Sequence, residues 1–367
     1  MDIISDLAKA ALRQETILTI GAFDGVHRGH QSLIGDVVAR ARSTDRLAAA
    51  ITFHPHPAVM LAPNRAPAYL TTPGEKAALL EGLNLDLLAL LPFDRQMAAT
   101  PARDFVAALS RYLRMRELWV GSDFAMGRDR EGDVPRLRQF GRELGYDVNV
   151  VQPVVTISGD VISSSLIRKL LSEGRVEEAA GMLGRYVSLS GEVVVGAGRG
   201  RPLGFSTANL EVRPERSVPA DGVYAALAVL GHESFEAVAN IGVRPSFGNG
   251  KRTVETHILD FDRDIYGCDL VVEFVARLRD EQRFADSSDL VTQVSRDIAA
   301  AREVLRGPRG ARKSSQPAMG AAGEKPPVDC PYRYEEVDHT ADRAMRVWGD
   351  GLHSLFIGAA RGMYHLM

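Results

Sequence analysis

Apolar residues in the first half of the chain fall into short runs that alternate with amphipathic segments. Thr16 to Phe23, Leu47 to Phe53, Leu85 to Phe93, Glu117 to Gly121 and Asp147 to Val155 each read as a strand buried on both faces of a parallel sheet. Between them, Gln31 to Arg42 has helical patterning. Thr72-Pro73-Gly74-Glu75 opens a second helix with a capping box and Pro at the first helical position, and Thr100-Pro101 opens a third in the same way. A last helix runs from Ser165 to about Gly184. This alternation predicts a doubly wound, Rossmann-like α/β domain over residues 1–184.

After Arg185 the pattern shifts to period-two strands separated by Gly, Pro and Asn turns. Leu270, Val272, Phe274, Ala276 and Leu278 share one face of a strand, with Glu273 and Arg277 on the other. Val193 to Val195, Val223 to Leu230, Ala237 to Ile241 and Val254 to Phe261 read likewise, which predicts a six-stranded antiparallel β-barrel over residues 185–305. Leu290, Val294, Ile298, Ala301 and Leu305 form the apolar stripe of a closing helix. Residues 306–330 hold four prolines and four glycines among polar residues, too few apolar groups to offset the entropy of ordering, and read as a flexible linker. Residues 331–367 look ordered again.

Composition narrows the function classes. The formal net charge of −3 gives no bulk attraction to nucleic acid. No apolar run approaches the roughly 18 residues of a membrane span, and the N-terminus lacks the basic and apolar regions of a secretory signal. Cys268 and Cys330 provide neither a disulfide framework nor a metal-ligand spacing. A cytoplasmic protein is expected.

The chemistry concentrates at two predicted helix starts. Gly21-Ala22-Phe23-Asp24-Gly25-Val26-His27-Arg28-Gly29-His30 lies where the first strand hands over to a helix, the place where open α/β sheets collect ligands. Glycines allow close backbone approach to a phosphate, and the helix directs unpaired N–H groups toward it. His27 and His30 add side-chain donors. Two readings are open here: phosphate ligands, or loop histidines that merely cap a helix. Ile162-Ser163-Ser164-Ser165-Leu166-Ile167-Arg168 places three hydroxyls at a second helix start with an Arg one turn in, a second anion site.

The paired histidines resemble the H-x-G-H signature of nucleotidyltransferases, and the serine segment resembles the I-S-S-x-x-I-R motif of bacterial FAD synthetases. Phe23-Asp24-Gly25-Val26-His27, Thr52-Phe53-His54-Pro55-His56-Pro57 and Val120-Gly121-Ser122-Asp123-Phe124-Ala125-Met126-Gly127 match blocks of that family in order. The barrel half is similar to riboflavin kinases through residues 198–210, 240–247 and 254–261, the first containing Gly204-Phe205-Ser206-Thr207-Ala208-Asn209-Leu210. The resemblance covers about Ile17 to Leu305.

It implies an enzyme that phosphorylates riboflavin to FMN with ATP, then adenylylates FMN to FAD with release of pyrophosphate. ATP in the adenylyltransferase would meet Gly21, Phe23, Asp24, Gly25, His27, His30, Ser163, Ser164, Ser165 and Arg168, with His27, His30 and Arg168 catalytic. Flavin would meet Asp123, Phe124, His54 and His56, although the two prolines flanking His56 leave open that these histidines only shape the loop. In the kinase, Gly204, Phe205, Thr207 and Asn209 would hold ATP, Thr207 and Asn209 as Mg²⁺ ligands, and Glu255 would be the base. The alternative for Glu255 is a surface carboxylate paired with Lys251 or Arg252.

Two departures stand out. Ser206 occupies the place where the kinase motif has Pro, which frees φ and loosens the loop by up to about 1 kcal/mol. Tyr334-Glu335-Glu336-Val337-Asp338-His339-Thr340-Ala341-Asp342 and the residues after it resemble the opening of archease, a family assisting RNA ligases, with only its first strand and helix represented. This tail is expected to be a nonfunctional fragment, its last helix, Leu352 to Met367, inviting self-association. The functions carried forward are therefore a bifunctional FAD-forming enzyme, a flavin- or nucleotide-binding module with weakened kinase activity, and an RNA-ligase accessory role of the tail.

Overall fold

A computed structural model describes residues 1–10, 12–196, 205–243, 252–284 and 286–307, and the backbone alone of 332–337 and 344–349. The N-terminal unit contains β1 (Asp2–Ile4), β2 (Thr16–Ile20), β3 (Leu47–His54), β4 (Leu87–Pro92), β5 (Met115–Gly121), the short hairpin strands β6 (Ala125–Met126) and β7 (Gly132–Asp133), and β8 (Asp147–Val151). Its helices are α1 (Arg28–Ser43), α2 (Pro57–Leu61), α3 (Pro73–Glu81), α4 (Arg95–Ala99), α5 (Ala102–Tyr112), α6 (Val134–Leu144), α7 (Ser164–Ser172) and α8 (Val176–Leu183).

The parallel sheet has the order β1-β4-β3-β2-β5-β8, so the winding reverses between β2 and β5. Alternate side chains serve opposite layers. Ile17, Ala48, Ala50 and Leu88 pack with Ile34 and Val37 of α1, whereas Leu18, Ala49, Ile51 and Leu87 pack with Phe105, Val106 and Leu109 of α5. Both faces are therefore buried, which is why the strands read as continuous apolar runs. The edge strand β1 has no such run.

Two predicted helices change. Thr100 is the C-cap of α4, and α5 begins at Ala102 behind Pro101 with no side-chain cap of its own. Glu131, distant in sequence, accepts from the Ala102 N–H at 3.0 Å and replaces the expected local cap. The single helix from Ser165 to Gly184 is two, α7 and α8, broken where Gly174 takes a φ of 74°, a left-handed conformation that ends a helix. The capping box at Thr72 forms as predicted.

The second unit is a closed barrel of β9 (Val187–Val194), β10 (Ala208–Glu211), β11 (Gly222–Leu230), β12 (Glu233–Val243), β13 (Arg252–Ile258) and β14 (Asp269–Arg279). All its strands are antiparallel, in the order β10-β13-β12-β11-β14-β9 with β9 closing on β10. Leu189, Leu210, Tyr224, Val254 and Phe274 share one buried cluster with Ile167 and Leu170 of α7 and Leu183 of α8, so the barrel core continues into the helices that end the first unit. Outside the barrel, Ala301 and Leu305 of α9 (Ser287–Arg306) pack against Val223, Ala225 and Val275.

The predicted faces of β14 fail past its middle. Register shifts in the pairing with β11 leave Val275 and Leu278 without a partner residue, and each bulge exchanges the two faces. Leu278 consequently joins Val275 in facing α9, and Glu273, ahead of the bulges, is buried. Cys268 is disulfide-bonded, although the spacing of the cysteines offered no disulfide framework.

In the tail, β15 (Tyr332–Val337) and β16 (Ala344–Gly349) pair antiparallel; the second of these strands was not expected. The linker after residue 307 and the helix predicted over Leu352 to Met367, with its proposed self-association, lie outside the described residues.

Candidate functional site

The turn after β2 is held in an unusual backbone shape. Phe23, Gly25 and Val26 have φ of 46°, 80° and 40°. Gly25 adopts this readily, but Phe23 and the β-branched Val26 do so at about 1–3 kcal/mol each. Surrounding contacts supply the constraint. Both side chains are fully buried. The Asp24 carboxylate accepts from the N–H groups of Leu70 and Thr71, each at 3.1 Å, and pairs with Arg168. Arg185 donates to the Gly25 carbonyl at 2.7 Å, and buried Lys76 donates to the Ala22 carbonyl at 2.7 Å.

His27 is the N-cap of α1, which starts at Arg28, three residues before the patterning that begins at Gln31. The His30 N–H donates to His27 Nδ1 at 3.4 Å, and the two rings stack with centroids 3.6 Å apart. Capping uses Nδ1, so the neutral ring carries its proton on Nε2 and keeps one donor for a ligand. The capping and ligand readings thus coexist in one side chain. His30 Nδ1 is buried without a partner, an orphaned polar atom beside the turn.

Both rings are held neutral. Burial pushes His27 down to about 4, the neighbouring Arg185 and Arg168 cations add to this, and Asp24 opposes it. His30 lies well below its ordinary value through burial and the proximity of His27 and Lys76. An unfolded histidine titrates near 6.5, so the unfolded chain binds more protons than the native one between about 4 and 6.5. Stability should therefore rise with pH across that window and level off above it, His27 contributing on the order of 3 kcal/mol at most. Urea midpoints measured from pH 4 to 8 should be flatter in His27→Gln; an unchanged acid slope would refute the assignment.

The serine segment divides its labour. Ser163 caps α7, its Oγ accepting from the Leu166 N–H at 3.2 Å, and Ser164 Oγ donates to the Asp24 carbonyl at 2.8 Å. Ser165 is exposed and engages no protein group among the described residues. Arg168 donates through Nε to the Ala68 carbonyl at 2.6 Å and through Nη2 to Asp24. The N-termini of α1 and α7 thereby converge on one turn, two sources of unpaired N–H groups facing the same space. Asp24 is structural in this arrangement, and Arg168 is half strut.

Beside the turn opens a cavity of about 530 Å³ whose wall includes Gly21, Ala22, Phe53, Phe93, Phe105 and Phe124. It sits at the carboxyl ends of β2, β3, β4 and β5, at the reversal of winding. Its aromatic, apolar wall suits a flat heteroaromatic ring. Of the predicted flavin residues, Phe124 lines it; Asp123, His54 and His56 do not. His56 Nδ1 instead accepts from the Ala58 N–H at 3.1 Å and caps α2, and His54 is exposed at the end of β3. Sequence reading missed Phe53, Phe93 and Phe105, which look like core residues at strand ends or in a helix.

On the barrel, Asn209 of β10 stands directly opposite Glu255 of β13, which in turn stands opposite Asn240 of β12. Directly opposed residues have Cβ atoms about 4.5–5.5 Å apart, so the three form one row. Their neighbours Ala208, Leu210 and Val254 belong to the interior cluster, which puts the row on the outer surface. Thr207 precedes the row by two residues. His257 Nδ1 donates to the Ser206 carbonyl at 2.8 Å and meets Phe205 edge to face, tying the chain before β10 to β13. Arg252 pairs with Asp221 at 2.8 Å, while Lys251 and Gly204 lie outside the described residues. Asn240 and His257 had no distinguishing signal in the sequence beyond their place in the matched blocks.

Two separate polar sites on two folds, each suited to a nucleotide, define a two-domain transferase. Residues 9–166 match the FAD synthetase family, residues 183–305 the riboflavin kinase family and residues 334–367 the archease protein family. The chain is 38% identical to the bifunctional riboflavin kinase/FMN adenylyltransferase of Escherichia coli (strain K12), over 82% of this chain and 96% of that protein. The protein so described from Bacillus subtilis (strain 168) is 32% identical, over 77% of this chain and 90% of its own length. A solved structure described as a macrolide-efflux protein from Streptococcus pneumoniae aligns with a TM-score of 0.75 and 30% identity, covering 82% of this chain and 98% of that one. Among the described residues here, no helix is long and apolar enough to cross a membrane. The chain belongs to the bifunctional riboflavin kinase/FMN adenylyltransferase family.

Proposed function

We propose that the chain carries out two ATP-dependent transfers in sequence, riboflavin to FMN on the barrel and FMN to FAD at the turn between β2 and α1. The observation that carries this reading is the stacked, neutral His27–His30 pair beside an aromatic cavity. In the second transfer an oxygen of the FMN phosphate bonds to the α-phosphorus of ATP as the bond to the bridging oxygen breaks and pyrophosphate leaves. His27 Nε2–H, the His30 imidazole, the Ser165 hydroxyl and the N-termini of α1 and α7 are donors for the charge that grows on the departing phosphates. The flavin ring occupies the cavity, with Phe124 in its wall. The uncommitted Nη1 of Arg168 adds a cation to the same anion.

In the first transfer Glu255 takes the proton from the riboflavin 5′-hydroxyl while the γ-phosphoryl group moves to that oxygen. Thr207 and Asn209 offer a hydroxyl and an amide oxygen, hard donors that would hold Mg²⁺. Bound there, Mg²⁺ would neutralise the phosphate charge. Phe205, Thr207 and Asn209, with Gly204, form the ATP side of this site. Dependence on ATP in both steps fits a cytoplasmic enzyme.

Incubation of the chain with riboflavin, ATP and Mg²⁺, with products resolved by chromatography, tests the pathway. FMN should appear first and FAD after it; a flavin-binding module that forms neither product would replace the enzyme reading. Ser206→Pro should tighten Mg-ATP in the kinase step, lowering its KM with kcat retained, since the ring pre-sets φ in the segment that His257 already braces. Identical kinetics in the two chains would remove Ser206 as a source of looseness. The accessory role of the tail rests on aspartates that lie outside the described residues.

A further inference from the structure

Glu75 and Lys76 are consecutive buried charges in the first turn of α3, and they reach in opposite directions. Glu75 pairs with Arg216 of the barrel unit, itself buried, and accepts from Ser190 Oγ at 2.6 Å. Arg216 Nη2 also donates to the Ser188 carbonyl at 3.1 Å. Lys76 instead reaches the Ala22 carbonyl of the phosphate turn and Thr52 Oγ1. The preceding residues alternate in the same fashion. The Tyr69 N–H donates to the Glu215 carbonyl at 2.7 Å, and the Ser217 N–H donates to the Tyr69 carbonyl at 2.8 Å. Leu70 and Thr71 then hold the Asp24 carboxylate. Residues 69–76 are thus a strap with one edge on the barrel and the other on the turn that presents His27.

We infer that Arg216, a residue of the kinase unit, is a positioning residue for adenylyl transfer, acting through Glu75 and the strap on the turn at Ala22 to His27. The inference rests on the site assignment made above for that transfer. Removing the guanidinium leaves Glu75 buried without its cation, an arrangement that proteins relieve by moving or protonating the carboxylate. Either response loosens the capping box that Glu75 closes on Thr72, and with it the direction of Lys76. The units stay docked meanwhile. Their shared apolar cluster is untouched, and the Ala220 N–H still donates to the Leu171 carbonyl at 2.8 Å. The kinase row of Asn209, Glu255 and Asn240 belongs to other strands.

The test uses the full chain with both reactions measured on one preparation. In Arg216→Met, kcat for FMN to FAD should fall about 10- to 100-fold, the scale of a sub-ångström to ångström misplacement of reacting groups, while riboflavin phosphorylation is unchanged. Arg216→Lys, which restores a cation to Glu75, should recover most of the loss. Lys76→Met should reproduce the selective loss from the other end of the strap, with every barrel contact intact. Unaltered FAD formation in Arg216→Met overturns the inference, as does parallel loss of both activities or failure of Arg216→Lys to recover. An unmodified chain that makes FMN but no FAD overturns instead the site assignment beneath it.

Discussion

His30→Ala should stop flavin turnover at FMN. With riboflavin and ATP supplied, the variant should accumulate FMN at the parent rate while FAD formation falls about 10²- to 10³-fold, the usual consequence of losing one preorganised donor to a developing anion. Two effects combine in that loss. His30 is half of the stacked pair, so its ring also sets the orientation of His27, whose Nδ1 is already committed to the His30 backbone. The backbone bond survives substitution by Ala, which keeps the helix cap and isolates the contribution of the imidazole. Chromatographic separation of FMN and FAD over a time course provides the measurement. Equal FAD yield from the variant would remove the pair from the reaction, and loss of both products would show that the two sites are not separate.

The complementary result is expected from Glu255→Ala. Riboflavin phosphorylation should fall about 10²- to 10⁴-fold, the range associated with a general base, while added FMN is still converted to FAD. Glu255 stands in a row with Asn209 and Asn240 on the outside of a closed barrel, and nothing in the strap between the units draws on β13. Glu255→Gln keeps the shape and hydrogen-bonding capacity of the row but not its basicity, so it should be as impaired in phosphorylation as the alanine variant. Phosphorylation retained by the glutamine variant would make Glu255 a structural member of the row.

The parallel sheet was legible because burial on both faces writes strands as unbroken apolar runs. Three-residue β1 was not, since its short segment leaves Asp2 and Ile3 exposed. Thr100-Pro101 imitates the start at Thr72-Pro73, but Arg103 stands where Glu75 closes the capping box, and Glu131, folded back onto Ala102, accepts from the N–H there instead. In β14 the alternation of side chains is sound until Phe274, after which a bulge that no local signal announces turns the strand over. At the site, residue types drew attention to the histidine pair and the serine cluster, although capping alone also uses such groups at a helix start, as His27 and Ser163 do. Which of them are spent on the protein itself was hidden. Asp24 and Arg168 find each other across 144 positions, and the long-range contacts that consume their hydrogen bonds have no trace in either motif. The aromatic wall of the cavity was missed for the opposite reason, since Phe53 and Phe93 resemble ordinary core.

Phe23 and Val26 have a consequence for how this enzyme can change. Their left-handed conformations cost about 1–3 kcal/mol each, which glycine would release, but deleting a buried aromatic side chain such as Phe23 costs about 3–5 kcal/mol, so the strain is held in place by packing. The same substitutions would remove two buried anchors of the turn and let it sample other shapes. Packing and turn geometry therefore stand or fall together within this four-residue stretch, and thermal improvement has to come from elsewhere in the chain.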